Sequence, residues 1–264
     1  MTKIMLIGLG DLGSVLLELL VREANLGPII VGSRDKKRGT ARCNLARLSA
    51  IAQGFDPDIR FLQLDLNNKE ATAEIIQREA PNLILSTATM QTWWLPELLP
   101  GPQAAEIKSV GFGVWLPVHL TLTMKLMEAV RDAHYKGFTL TAPFPDVVNC
   151  ILGRLDLAPT CGFGNLDEVV PKVRLLASER LGASSEEIRV FLVAHHALQR
   201  AVFGSAKDIG TAKIPPYYLR VEHLGQNVTA EIQADDLLLA SYPISPGRAS
   251  HFLTAGCAMR LIRA

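Results

Sequence analysis

Residues 3–20, Lys-Ile-Met-Leu-Ile-Gly-Leu-Gly-Asp-Leu-Gly-Ser-Val-Leu-Leu-Glu-Leu-Leu, carry the strongest pattern in the chain. Ile4 to Ile7 form an apolar run of the length of a buried strand, and the leucines from Leu12 onward recur at helical spacing. Between the two, Gly8, Gly10 and Gly13 stand in the G-x-G-x-x-G arrangement. The first glycine of such a turn permits a sharp bend, the second lets a pyrophosphate approach the backbone, and the third lets the helix pack tightly on its strand. Amides at the helix N-terminus then face the phosphates. The stretch predicts strand, tight turn and helix shaped to hold a dinucleotide, with Asp11 and Leu12 inside the phosphate-facing turn.

Beyond the first helix, Ile29 to Val31 reads as a second strand whose tip is Gly32-Ser33-Arg34, followed by Lys36, Lys37 and Arg38. An acidic residue about 20 positions past the glycines suits the ribose 2′-hydroxyl of NAD, whereas an arginine suits a 2′-phosphate. A guanidinium offers two hydrogen bonds to a phosphate, and Ser33 one more. Ser33, Arg34 and Lys37 therefore predict NADP as the cofactor, against the alternative of a solvated basic loop. Residues 36–53 read as a helix with Ala41, Leu45, Leu48, Ile51 and Ala52 at helical spacing. A third strand over 59–66 ends near Asp65, which either touches the adenine half or caps the next element. A helix over 69–80 leads to a fourth strand over 82–87, placing Thr87 and Ala88 at the carboxyl edge where parallel sheets take their ligands.

The spacing then predicts a fifth strand over 107–113, a helix over 117–133 and a sixth strand over 138–142. These complete an α/β doubly wound parallel sheet of the Rossmann type over residues 1–142. Trp93 and Trp94 lie between, either as a cover for the nicotinamide pocket or as part of an irregular connection. Residues 143–245 change character and read as a second, mixed α+β domain for substrate binding or dimerisation. Its elements are helices over 145–155 and 166–181, a strand over 188–194 and an antiparallel pair over 217–224 and 228–232. A last helix, 248–263 within a segment of 246–264, is expected to pack back on the first domain.

The 264 residues carry 27 Lys and Arg against 26 Asp and Glu, so no global field favours nucleic acid or an anionic membrane, and a small-molecule substrate is the expected partner. Self-association into a homo-oligomer is compatible with this composition. Apart from the interrupted run at the N-terminus, no window approaches the ~18 uninterrupted apolar residues of a membrane span. Cys43, Cys150, Cys161 and Cys257 show neither C-x-x-C nor metal-knuckle spacing, which suggests reduced thiols, a cytoplasmic location and no metal site.

With the glycines at 8, 10 and 13, the Gly32-Ser33-Arg34 tip and Leu64-Asp65-Leu66, the first 90 residues resemble the NADP-binding domain of the saccharopine dehydrogenase-like superfamily. The resemblance implies an oxidoreductase moving hydride between NADP and a C–N, C=N or carbonyl bond of a small amino-acid-like substrate. It also implies a substrate domain inserted after the nucleotide domain and a returning C-terminal helix. It supplies no match for the family's substrate residues, so a non-catalytic NADP-binding sensor or accessory subunit is the competing expectation.

Nicotinamide chemistry asks the protein for orientation and a proton. Asp146 and Asn149 follow the expected sixth strand and share a helix face at i, i+3. Asp146 equally suits a helix cap. His195, at the end of an apolar strand, carries an imidazole, the side chain most often used for acid–base work. His195 and its neighbour His196 point to opposite faces of an extended strand, so at most one of the two is expected to act. Asp146, Asn149 and His195 are the catalytic candidates.

Overall fold

The computed structural model describes residues 1–92, 94–110, 112–203, 214–245 and 247–264. The chain divides into two compact units, Met1–Phe163 together with Ala258–Ala264, and Gly164–Cys257. In the first unit, β1 (Thr2–Ile7), β2 (Leu26–Ser33), β3 (Ile59–Gln63), β4 (Leu83–Ser86), β5 (Phe138–Thr141) and β6 (Cys161–Gly162) form one sheet. Its order is β3-β2-β1-β4-β5-β6 and every pairing is parallel. β1 lies between β2 and β4, which is why Ile4, Met5 and Leu6 are fully buried and the strand reads as an unbroken apolar run. This is a doubly wound sheet of the Rossmann type. The order reverses between β1 and β4, and that switch point opens a crevice beyond the carboxyl ends of the strands.

Helices α1 (Asp11–Leu20), α2 (Lys36–Ile51), α3 (Lys69–Glu79), α4 (Gly101–Ser109), α5 (Leu116–Asp132) and α6 (Pro145–Arg154) connect the strands. Ile76, Leu126, Val130, Val148 and Leu152 pack with Met5, Ile7, Ile30 and Ile84 in one core. α2 buries its small side: Gly39, Cys43, Ala46 and Ala50 are its inward residues. A Cβ at Gly39 would lie 2.0 Å from the Phe61 ring, so the absence of a side chain is what lets this helix lie against β3. Of the residues read at helical spacing, Leu45, Leu48 and Ile51 lie on its solvent face, 53%, 65% and 50% exposed.

Two expected elements are corrected. Residues 107–109 end helix α4 and Phe112–Trp115 form a 3-10 turn, so no strand occupies the described residues of 107–113. Gly111 itself lies outside the described residues. The preceding Gln103-Ala104-Ala105-Glu106 favours helix, and the place beside β4 is taken by residues 138–141. The strand expected sixth, over 138–142, is present as the fifth, β5, and the sheet ends in the two-residue β6 after α6, within a first unit that runs to Phe163.

The second unit holds an antiparallel sheet of β7 (Ile188–Ala194), β8 (Tyr217–His223) and β9 (Gln226–Asn227). With it pack α7 (Val169–Leu181), α8 (Ala197–Phe203) and α9 (Ala234–Leu239), around Val173, Ile188, Leu198, Val221 and Leu238. The expected strand over 228–232 is absent. After β9 the Thr229 hydroxyl takes the Val221 amide at 2.8 Å and the chain turns away, carrying Ile232 into the core. The last helix, α10 (His251–Arg263), is divided at Cys257 and Ala258 between the two units. Within the first unit its Arg263 donates to Glu23 at 2.9 Å. No described helix is long and apolar enough to cross a membrane.

Candidate functional site

At the end of β1 the backbone of Gly8 turns with φ +100°. A Cβ there would meet the Ala88 amide nitrogen at 2.8 Å, and one at Gly13 would lie 2.0 Å from the Gly8 carbonyl oxygen. The Thr87 hydroxyl closes this knot by donating to the same carbonyl at 3.1 Å. Thr87 and Ala88 thus shape the turn from the adjacent strand. At Gly10, by contrast, an added Cβ would meet nothing within 4 Å. Gly10 is also the N-cap of α1 and caps it without any side-chain hydrogen bond. Two glycines are filled by protein and the third is open beside an uncapped helix N-terminus, the arrangement an anionic group requires. Asp11 and Leu12 follow in the first helical turn, both half-buried.

The tip of β2 is held from β3: Leu64 N–H donates to the Ser33 carbonyl at 3.0 Å and the Gln63 amide donates to that of Arg34 at 3.0 Å. The Arg34 and Lys37 side chains are exposed. Asp35, also exposed, caps α2 through one carboxylate oxygen, Oδ1, which accepts the Arg38 amide at 2.9 Å. Asp65 is likewise engaged, accepting the backbone and side-chain amides of Asn67 at 3.0 and 2.9 Å in the turn before α3.

Beyond β5, Thr141 is fully buried and its hydroxyl donates to Asn149 Oδ1 at 3.0 Å. That bond ties the Asn149 amide to the end of β5, with its Nδ2 3.2 Å from the position a Cβ at Gly162 would take. Asp146 sits one turn earlier on α6, exposed and in the first turn, where a negative charge complements the helix dipole. Sequence reasoning missed a further residue at this edge. His119, in the first turns of α5, is 3% exposed and stacks on Phe144 with ring centroids 3.9 Å apart. Neither of its ring nitrogens has a hydrogen-bond partner, and burial pushes its pKa down to about 4. Ser14 Oγ on α1 and Ser86 Oγ at the end of β4 are buried and unpartnered as well. The only sequence signal for His119 was a histidine among the apolar residues that open α5, Leu116-Pro-Val-His-Leu120. Trp93 lies outside the described residues.

In the second unit His195 is exposed, and its Nδ1 accepts the Ala197 amide at 3.1 Å at the start of α8. His196 is half-buried, with Nε2 2.6 Å from Gln199 Oε1. Gln199 Nε2 in turn donates to Glu168 at 2.6 Å. Glu168 is buried, and its other carboxylate oxygen accepts from the Thr254 hydroxyl. Burial raises the Glu168 carboxyl above its ordinary range, against the lowering effect of the Thr254 and Gln199 hydrogen bonds. Among the described residues no cluster of three metal-ligating side chains occurs.

No protein-family model matches the sequence, and no curated protein matches it either. Solved structures do. The fold is similar to that of lactate and malate dehydrogenases. Lactate dehydrogenase from Eimeria maxima with NADH and oxamate gives a TM-score of 0.64 at 11% identity over 99% of this chain and 74% of that one. Malate dehydrogenase from Plasmodium falciparum in complex with NADH gives 0.63 at 15% over 99% and 76%. Lactate dehydrogenase from Cryptosporidium parvum with lactic acid and nicotinamide adenine dinucleotide gives 0.63 at 14% over 100% and 76%. The likeness is one of fold, and it runs over both units. It supports the Rossmann-type architecture expected from the glycines but not the narrower saccharopine dehydrogenase-like resemblance, whose short motifs are shared widely among dinucleotide-binding sheets.

Proposed function

We propose that the chain is an NADP(H)-dependent oxidoreductase acting on a carbonyl–alcohol couple of a small substrate. The observation that carries this reading is the open Gly10 beside the uncapped start of α1, with Arg34 at the neighbouring strand tip. Gly8, Gly10, Asp11, Leu12 and Gly13 would hold the pyrophosphate, with Thr87 and Ala88 shaping the turn. Ser33, Arg34 and Lys37 would take the 2′-phosphate, and Asp65 would serve the turn beside the adenine half. The preference for the phosphorylated cofactor is supported by the exposed Arg34 and Lys37 side chains at the tip of β2. The lactate and malate dehydrogenase structures carry NADH or its oxidised form, which makes NAD the alternative to be excluded.

When bound, the dinucleotide gives or accepts a hydride. The chain's own contribution in the first unit is assigned to Asn149, whose amide is tied to Thr141, as an orienting polar group, and to Asp146, as a proton carrier one helical turn away. In the second unit the sequence points to His195, whose ring is exposed and engaged with the Ala197 amide. Carbonyl chemistry is favoured by the lactate and malate dehydrogenase fold. The C–N chemistry of an amino-acid-like substrate is the competing assignment. A cytoplasmic location is supported by four free cysteines.

Titration with NADPH and NADH tests the reading. Wild type should bind NADPH more tightly, and Arg34→Asp should lose about tenfold or more of that affinity, roughly one charge-assisted hydrogen bond. Equal affinities would sink the NADP assignment, and no binding of either would sink the enzyme reading. NADPH oxidation over a panel of 2-oxo acids, with and without amines, separates carbonyl from C=N chemistry.

A further inference from the structure

We propose that Thr254, Glu168 and Gln199 form a positioning chain that holds His196 with its proton on Nε2, so that Nδ1 is the atom through which this histidine exchanges protons. The inference draws on the function proposed above only in that a carbonyl–alcohol couple needs a proton carrier. Its geometry lies wholly within the second unit.

The constraint begins at the carboxylate. Both oxygens of Glu168 act as acceptors, one from the Thr254 hydroxyl and one from Gln199 Nε2. In its ionised form, which the Thr254 and Gln199 hydrogen bonds favour against burial, the carboxylate has no hydrogen to give, so the group of Gln199 that faces it is the NH2. The amide is then committed: Oε1 is the atom left 2.6 Å from His196 Nε2, and an amide oxygen only accepts. His196 Nε2 therefore carries hydrogen in the neutral ring as in the charged one. The proton that arrives and leaves on titration is the one on Nδ1, whatever partner that nitrogen has. An amide whose polarity is set by a buried anion is a stronger constraint than an amide in water, because hydrogen bonds to charged groups contribute about twice as much as neutral ones.

The site is built for this carboxylate. Glu168 is 7% exposed, and an anion so placed is retained only when its oxygens are satisfied. Gly164 turns with φ +88°, and a Cβ there would lie 2.8 Å from Thr254 Cγ2, so a side chain at 164 would press on the residue that anchors Glu168. The chain also distinguishes the two histidines. His195 has an exposed ring whose Nδ1 accepts an amide, whereas His196 has a ring nitrogen wired to a buried acid.

The test needs neither dinucleotide nor substrate. Long-range proton–nitrogen NMR correlations on the 15N-labelled full chain, recorded above the titration of His196, report which ring nitrogen bears hydrogen. Wild type should show hydrogen on Nε2. Gln199→Glu should keep the Nε2–H form and raise the pKa of His196, whereas Gln199→Met should shift the ring toward a mixture of tautomers. Glu168→Gln, which frees the amide to turn over, should give a mixture as well. Wild type with hydrogen on Nδ1, or a Gln199→Met ring indistinguishable from wild type, overturns the proposal. Should the Glu168 or Gln199 variants not fold, the wild-type spectrum decides. Because NADPH is absent throughout, this outcome is independent of whether the glycine turn binds it.

Discussion

A buried imidazole with neither nitrogen paired is the least economical residue of the first unit. Leaving a buried polar group unpaired costs about 1–3 kcal/mol. His119→Phe removes the two unpaired nitrogens and keeps an aromatic plane against Phe144, so it should raise stability by about 1 kcal/mol, read as a higher urea midpoint. The pH dependence has a definite sign. His119 titrates at about 4 in the fold and near 6.5 unfolded, so the unfolded chain binds more protons between those values. Stability should fall as pH drops from about 6.5 to 4, by up to about 3 kcal/mol from this residue, and His119→Phe should lack that component. Asp146 behaves oppositely, being exposed on the first turn of α6. Asp146→Ala should leave folding and NADPH affinity nearly unchanged while lowering turnover about a hundredfold, the usual scale of lost acid–base help. Unchanged turnover would remove it from the reaction.

Among the elements, α3 is fastened to the sheet by a charge. Glu79, its last residue, is 5% exposed and pairs with Arg60 of β3, with Arg78 at 3.2 Å and with Lys3 of β1 at 3.7 Å. Burial alone would raise its carboxyl, but hydrogen bonds from Arg60 and Arg78 and the Lys3 charge outweigh that and hold it below the usual range. Its stabilisation is therefore present at neutral pH and is lost as pH falls through the depressed folded value. Glu79→Gln should cost about 1–3 kcal/mol, measurable by denaturant unfolding, and should flatten the acid limb of the stability curve.

The same scale shows what the sequence made legible. β1, β2 and β4 were readable because each is an apolar run bounded by turn residues, and β3 because it alternates. The stretch 107–113 was not, since a short apolar run serves helix and strand alike. β6 has two residues and no pattern at all. In α2, periodicity identified residues sharing a face without saying which face was inward, and that was decided by Phe61 against Gly39. The glycine turn was visible because its geometry is local. Thr141 with Asn149, His119 with Phe144, and Thr254 with Glu168 are pairings between separated positions that spacing does not record.

For the whole molecule, a formal net charge of +1 and a pI near 7.7 leave little charge repulsion between copies at neutral pH. Solubility should pass through a minimum near that pH and improve on either side. Ligand linkage acts on the whole molecule too. NADPH at a hundred times its dissociation constant should stabilise the fold by about 2.7 kcal/mol, read as a rise in melting temperature that follows concentration.

The outward leucines of α2 give this charge balance a practical edge. Because the helix is seated by Gly39, Cys43, Ala46 and Ala50, its leucines are ornaments to folding and liabilities to colloidal behaviour. Changing Leu45 and Leu48 together to lysine should shift stability by no more than about 0.5 kcal/mol each while moving the pI upward. The variant should elute earlier from a hydrophobic resin and stay clear of aggregates in light scattering at pH 7.7. The outer face of that helix is therefore a place where the protein's surface can be rewritten with little consequence for its interior.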